Sequence, residues 1–99
     1  MQNNKEHVPP NQGKNFRIES GYSITDIAFL LDIRNFGRVS EWENGLSYPG
    51  IKHLITLSLI YQRLPDEIYS ELRRRLSDKL DVRLKLLRDM KERERDKGG

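Results

Sequence analysis

An all-α fold is the expectation for this 99-residue chain, and three features of the sequence predict it. Apolar residues recur at intervals of three and four over most of the stretch from Ile24 to Met90, the period of a helix rather than of a strand. Gly21, Gly45, Pro49 and Pro65 stand between the periodic runs, where helices stop and start. From Asp66 to Lys97 neither Gly nor Pro occurs at all. A composition of 35% hydrophobic and 33% charged residues suits one small domain with an extensive solvated surface.

The polar, Pro-containing start reads as a flexible arm over residues 1–14, merging into a short first helix from about Lys14 to Ser20 that Gly21 ends. Ser23 then opens a second helix. Its hydroxyl can accept from a free N–H of the first turn while Asp26 reaches back, a capping box, and Ile24, Ile27, Leu30 and Leu31 form one apolar stripe. Asp32-Ile33-Arg34-Asn35 is the turn. A third helix is expected from Asn35 or Phe36 to Asn44, with Gly45 free to take the positive φ that closes it. Two short helices about a turn suggest helix-turn-helix geometry.

Pro49 introduces a fourth helix in which Ile51, Leu54, Ile55, Leu57, Ser58 and Ile60 bury one wide face. Leu64-Pro65-Asp66-Glu67-Ile68 starts a fifth, with Pro and two acids in its first turn, which is expected to run on as one long helix to Lys97. Along it Ile68, Leu72, Leu76, Leu80, Leu84, Leu87 and Met90 follow at spacings of four or three. Glu71 with Arg75, Asp81 with Lys85, and Asp89 with Arg93 are favourable pairs at i,i+4. Such pairs leave the leucines uncovered, and a partner subunit is the economical cover; the spacing drifts too much for a long parallel coiled coil.

The net charge of +3 and pI near 9.3 point toward nucleic acid. Residues 22–65, however, hold four basic and four acidic side chains, whereas residues 66–99 hold eleven basic and nine acidic, with Arg73-Arg74-Arg75 as the densest cluster. The absence of cysteine removes disulfides and thiolate metal sites as sources of stability. His7 and His53 have no companion ligands at metal spacing, and no nucleophile–base arrangement occurs, so no metal, cofactor or enzymatic activity is expected. Nowhere do about 18 consecutive apolar residues occur, and the start has no apolar signal region; a soluble, cytoplasmic protein without a membrane segment is expected.

Gly21-Tyr22-Ser23, Asp26-Ile27-Ala28-Phe29-Leu30-Leu31, Val39-Ser40-Glu41-Trp42-Glu43-Asn44-Gly45, Tyr48-Pro49, and Leu59-Ile60-Tyr61 leading to Pro65-Asp66-Glu67-Ile68 resemble one family. It is that of the Cro/C1-type (XRE-like) helix-turn-helix regulators, over roughly Phe16 to Leu72. The resemblance implies a five-helix, lambda-repressor-like DNA-binding domain over residues 15–72, followed by a helical extension over 73–99 that pairs two copies. In such a domain the third helix lies in the major groove. The chain departs from the family pattern at Ile24, where a phosphate-clamping Gln is usual, in a link from Ile33 to Val39 that is one residue longer, and at Gly13, where the first helix usually has an apolar residue. The resemblance also sets Arg17 opposite Glu43 as an internal ion pair.

By helical spacing Val39 and Trp42 face inward, leaving Arg38 and Glu41 outward with Asn35 and Gly37 nearby. Arg38 can fork onto guanine or grip a phosphate, Glu41 can accept from cytosine N4, and Asn35 can pair with adenine. Phe36 suits either the core or a thymine methyl, and Gly37 permits close approach to the duplex. Arg34, Asn44 and Lys52 suit phosphates. The expected function is therefore a sequence-specific DNA-binding transcriptional regulator, a repressor, acting on double-stranded DNA as a homodimer. An alternative uses the same fold and final helix to bind another protein, as an adaptor or the antidote half of a toxin pair.

Overall fold

In the computed structural model, residues 8–98 are described; His7 and the rest of the first seven residues of the expected arm lie outside them. Among the described residues every regular element is helical: α1 Gly13–Glu19, α2 Ile24–Leu30, α3 Gly37–Glu43, α4 Ile51–Tyr61, α5 Pro65–Ile68 and α6 Ser70–Gly98. No helix among them is long and apolar enough to cross a membrane.

One core holds the first five helices together. Ile27, Ala28 and Leu31 of the α2 end meet Val39 and Trp42 of α3, Leu57 and Tyr61 of α4, and Ile68 and Tyr69 at the α5–α6 joint. Phe16 of α1 packs at its edge, its ring 6.4 Å from that of Tyr61. Tyr61 and Tyr69 contribute most of their rings to this interior, and burial raises both phenols above their ordinary range, Tyr69 to about 12.

Four expectations need correction. The arm is anchored where it meets the core: Pro9 is buried, the Gln12 N–H donates to the Ile68 carbonyl, and α1 begins at the buried Gly13. Leu30 of the α2 stripe points outward, because the residues that face the core from α2 are Ile27, Ala28 and Leu31. On α4 only Leu57 and Tyr61 are buried, with Leu54 and Ile60 partly so, while Ile51, Ile55 and Leu59 are exposed.

The fourth correction concerns the long helix. It is two helices, broken at Tyr69 (φ −112°, ψ 52°). Ile68 and Tyr69, on the two sides of the break, both lie in the core. The Tyr69 ring packs tilted against that of Tyr48, 5.6 Å between centres, and the Tyr69 carbonyl accepts from the Arg73 N–H to begin α6. From there α6 runs through residues 72 and 73 without a break, so the headpiece and extension are continuous. On α6 Glu71 does pair with Arg75 and also with Arg74, and these guanidinia hold its carboxyl down at about 2. Asp81–Lys85 and Asp89–Arg93 are not among the ion pairs formed by the described residues.

Candidate nucleic-acid interface

Construction of the site begins at α2. The Ser23 hydroxyl accepts from the Asp26 N–H at 3.0 Å and the Asp26 carboxylate accepts from the Ser23 N–H at 2.9 Å, a closed capping box. At the other end the Asp32 N–H donates to Phe29 O and the Ile33 N–H to Ala28 O, with Asp32 itself left-handed at φ 58°. This paired closure stops α2 without a glycine. The chain then crosses Arg34 to Asn35, whose side-chain oxygen accepts from the Gly37 N–H at 2.9 Å and whose carbonyl accepts from the Arg38 N–H. Asn35 is thus the start device of α3. Its amide group remains able to donate, and its oxygen already accepts one bond.

At the far end of α3 the Gly45 N–H donates to Trp42 O and the Leu46 N–H to Glu41 O, with Gly45 at φ 74°. A Cβ on Gly45 would also stand 3.3 Å from the Val8 carbonyl, so the position needs glycine for two reasons. The Asn11 side-chain amide donates to the Trp42 carbonyl at 2.9 Å, fastening the anchored arm to this helix end. Arg17 adds a second tie: Nε donates to Glu43 Oε2 at 2.7 Å, Nη2 to Oε1 at 3.0 Å, and Nη1 to the Tyr22 carbonyl at 3.1 Å. Both side chains are nearly buried, and the hydrogen bonds to Glu43 raise the Arg17 pKa against the opposing effect of burial.

With Val39 and Trp42 in the core at 2% and 5% exposure, the other flank of α3 faces out. Arg34, Asn35, Phe36, Arg38, Glu41 and Asn44 are exposed, and Gly37 is half-buried. Phe36, at 57% exposure, belongs to the surface rather than to the core. The Arg38 guanidinium lies 5.5 Å from the centre of the Trp42 ring, which on its other neighbours meets the His53 ring at 5.4 Å. Lys52 is exposed in the first turn of α4, next to His53. Arg34 to Asn44 thus expose side chains of mixed charge along the α2–α3 turn and α3, with Lys52 exposed on α4.

Two contributors lay outside the sequence reading. Ser40 shares the outward row with Gly37 and Asn44 and accepts from the Asn44 amide at 3.3 Å; the spacing of three and four would have found it. Asn11 had no local signal, since an Asn in a Pro-rich stretch reads as loop whatever it later touches. Among the described residues no three His, Asp or Glu side chains converge as metal ligands. No protein-family model matches this chain, and neither a curated protein nor a solved structure matches it significantly.

Proposed function

We propose that this protein is a sequence-specific DNA-binding regulator of transcription with a Cro/C1-type, lambda-repressor-like headpiece, reading the major groove with α3 and acting as a pair of copies. One observation carries the reading: α3 is held from behind by buried Val39 and Trp42 and tied at both ends, while its opposite flank is left free. A helix so fixed can enter a groove without reorganising, which is what base discrimination requires. On that flank Arg38 forks onto guanine and Glu41 accepts from cytosine. Phe36 meets a thymine methyl, and the Asn35 amide donates to a base acceptor. Arg34, Asn44 and Lys52 grip phosphates, fixing register without reading sequence.

The test is selection of random duplexes on the purified protein followed by sequencing. A two-fold symmetric consensus with half-sites about one helical turn apart is expected. Arg38→Ala should then relax preference at one base pair and weaken binding by about 1–3 kcal/mol, whereas Lys52→Ala should weaken all sequences alike and flatten the salt dependence. Selection that enriches nothing, or binding indifferent to salt, overturns the proposal. A second reading, a protein-binding adaptor or antidote, is favoured by the balanced charge of residues 22–65 and the uncovered leucines of α6. It predicts the opposite salt result.

A further inference from the structure

The charged side chains of α6 are not spread evenly around the helix. Seen down the axis, at about 100° per residue, Leu72, Leu76, Leu80, Leu84, Leu87 and Met90 fill an arc of about 120°. From Leu76 to Met90 these residues are 45–56% exposed. Arg83 stands inside the arc, Arg73 and Lys91 lie toward one edge of it, and Lys79 is just beyond the other. The acids Glu71, Asp78, Asp81, Asp89 and Glu92 all lie more than about 120° from the centre of the row. Glu94, one turn past Met90, is the exception. Arg73 is paired with Asp66 at 3.1 Å, whereas among the described residues Lys79, Arg83 and Lys91 join no ion pair. The leucine row is therefore edged with cations, and the acids of α6 sit behind it.

We propose that this face docks a helix of another protein, one whose own apolar row is flanked by Asp and Glu side chains. Charge selects that occupant: acids at the edges of the incoming row come within reach of Lys79, Arg83 and Lys91, which have no partner in this chain. A second copy offers the reverse. Its face carries the same cations and holds its acids behind, so pairing two such faces, parallel or antiparallel, sets cation beside cation at the edges. Shape selects against a flat surface. The row runs into a groove of about 730 Å³, walled by Leu72, Leu76 and Leu80 of α6 and by Tyr48, Pro49 and Leu54 of the headpiece. That corner seats a rod of helix diameter, about 10 Å, and a flat bilayer does not follow it.

From Leu72 to Met90 the helix rises by about 27 Å at ~1.5 Å per residue, so the partner helix needs about five turns. Its apolar row supplies the attraction, while the stems of Lys79, Arg83 and Lys91 lie along the seam with their heads in water and select for acids. The proposal gives the partner of the protein-binding reading its chemistry, and it rests on that reading for the partner's being a protein. The DNA reading is left as it stands, since two copies on a two-fold operator do not require contact through α6.

The probes are two synthetic helical peptides of about 20 residues, each with one leucine row, that differ only in carrying Glu or Lys beside the row. Titrated against the unaltered chain without DNA, the Glu-flanked peptide is expected to bind on the order of tenfold tighter than its Lys twin. Lys79→Glu with Arg83→Glu and Lys91→Glu should reverse that order, and Leu80→Asp with Leu84→Asp should abolish binding of both; all five positions are exposed, so the headpiece is expected to keep its thermal unfolding. Equal affinity of the two peptides would overturn the choice of an acidic partner and leave the protein-binding reading standing; binding of neither would sink both. A dimer in sedimentation that Leu80→Asp with Leu84→Asp dissociates would assign the face to a second copy and overturn the proposal. Flotation with phosphatidylserine vesicles, lost in the same variant, would assign it to a membrane and do likewise. As no DNA is present, these outcomes are independent of whether α3 reads bases.

Discussion

Arg17 reaches across 26 residues of chain to close a two-toothed ion pair on Glu43, and in doing so spends no polar group unpaired: its remaining nitrogen finds the Tyr22 carbonyl. With the two side chains 11% and 7% exposed, the pair's value lies less in net attraction than in the cost of breaking it. Arg17→Ala leaves a carboxylate buried alone. It is expected to destabilise the headpiece by on the order of 3–5 kcal/mol in urea unfolding, and Arg17→Met with Glu43→Leu to lose clearly less. Equal stability of Arg17→Ala and the unaltered chain would refute the account. The residue types at this scale were legible where their action is local: Ser23 and Asp26 bond each other three residues apart, and Gly45 closes the helix it follows. The bond that the Asn35 oxygen accepts from the Gly37 N–H was not read from the sequence, because it depends on the turn geometry around it.

Element ends show the same division. Gly21 and Gly45 sit at φ 84° and 74° where the sequence places helix stops. Asp32 and Gln62 take left-handed φ of 58° and 54° without glycine, at a cost of about 1–2 kcal/mol each that neighbouring packing must offset. The break at Tyr69 was invisible in a run free of Gly and Pro, and it falls at a residue whose ring is buried. That joint gives a pH signature. Burial favours the neutral phenol and lifts Tyr69 from its ordinary value near 10 to about 12, so its contribution is complete below pH 10 and lost as pH rises toward 12. Urea midpoints should therefore fall between pH 10 and 12 in step with tyrosinate absorbance. Tyr69→Phe should flatten that fall, and an unchanged slope in this variant would sink the explanation; Tyr61, raised for the same reason, supplies the remainder.

At the size of the whole molecule the structure divides into a packed headpiece and a rod, and the longest dimension of 63 Å reflects the rod. A projecting helix with leucines on one side has no reason to remain uncovered in water. If a second copy is the cover, Leu80→Asp with Leu84→Asp should turn the dimer into a monomer while leaving the thermal unfolding of the headpiece intact, and should weaken operator binding by at least tenfold through loss of the linked second site. Retention of a dimer by this variant would place the interface elsewhere, the exposed α4 row being the next candidate. DNA binding should weaken as salt rises, because phosphates are being neutralised, while the apolar pairing of the rods should not.

Helical class, the caps of α2, the stop at Gly45 and the inward pair Val39 and Trp42 follow from interactions spanning five residues or fewer, and such interactions can be read along a chain. The anchoring of the arm by Asn11, the break at Tyr69 and the exposure of Ile51, Ile55 and Leu59 could not be read in that way. Each depends on which surfaces, distant in sequence, close over which others. An apolar residue announces that it will seek cover; only packing against particular neighbours settles whether the chain itself provides it.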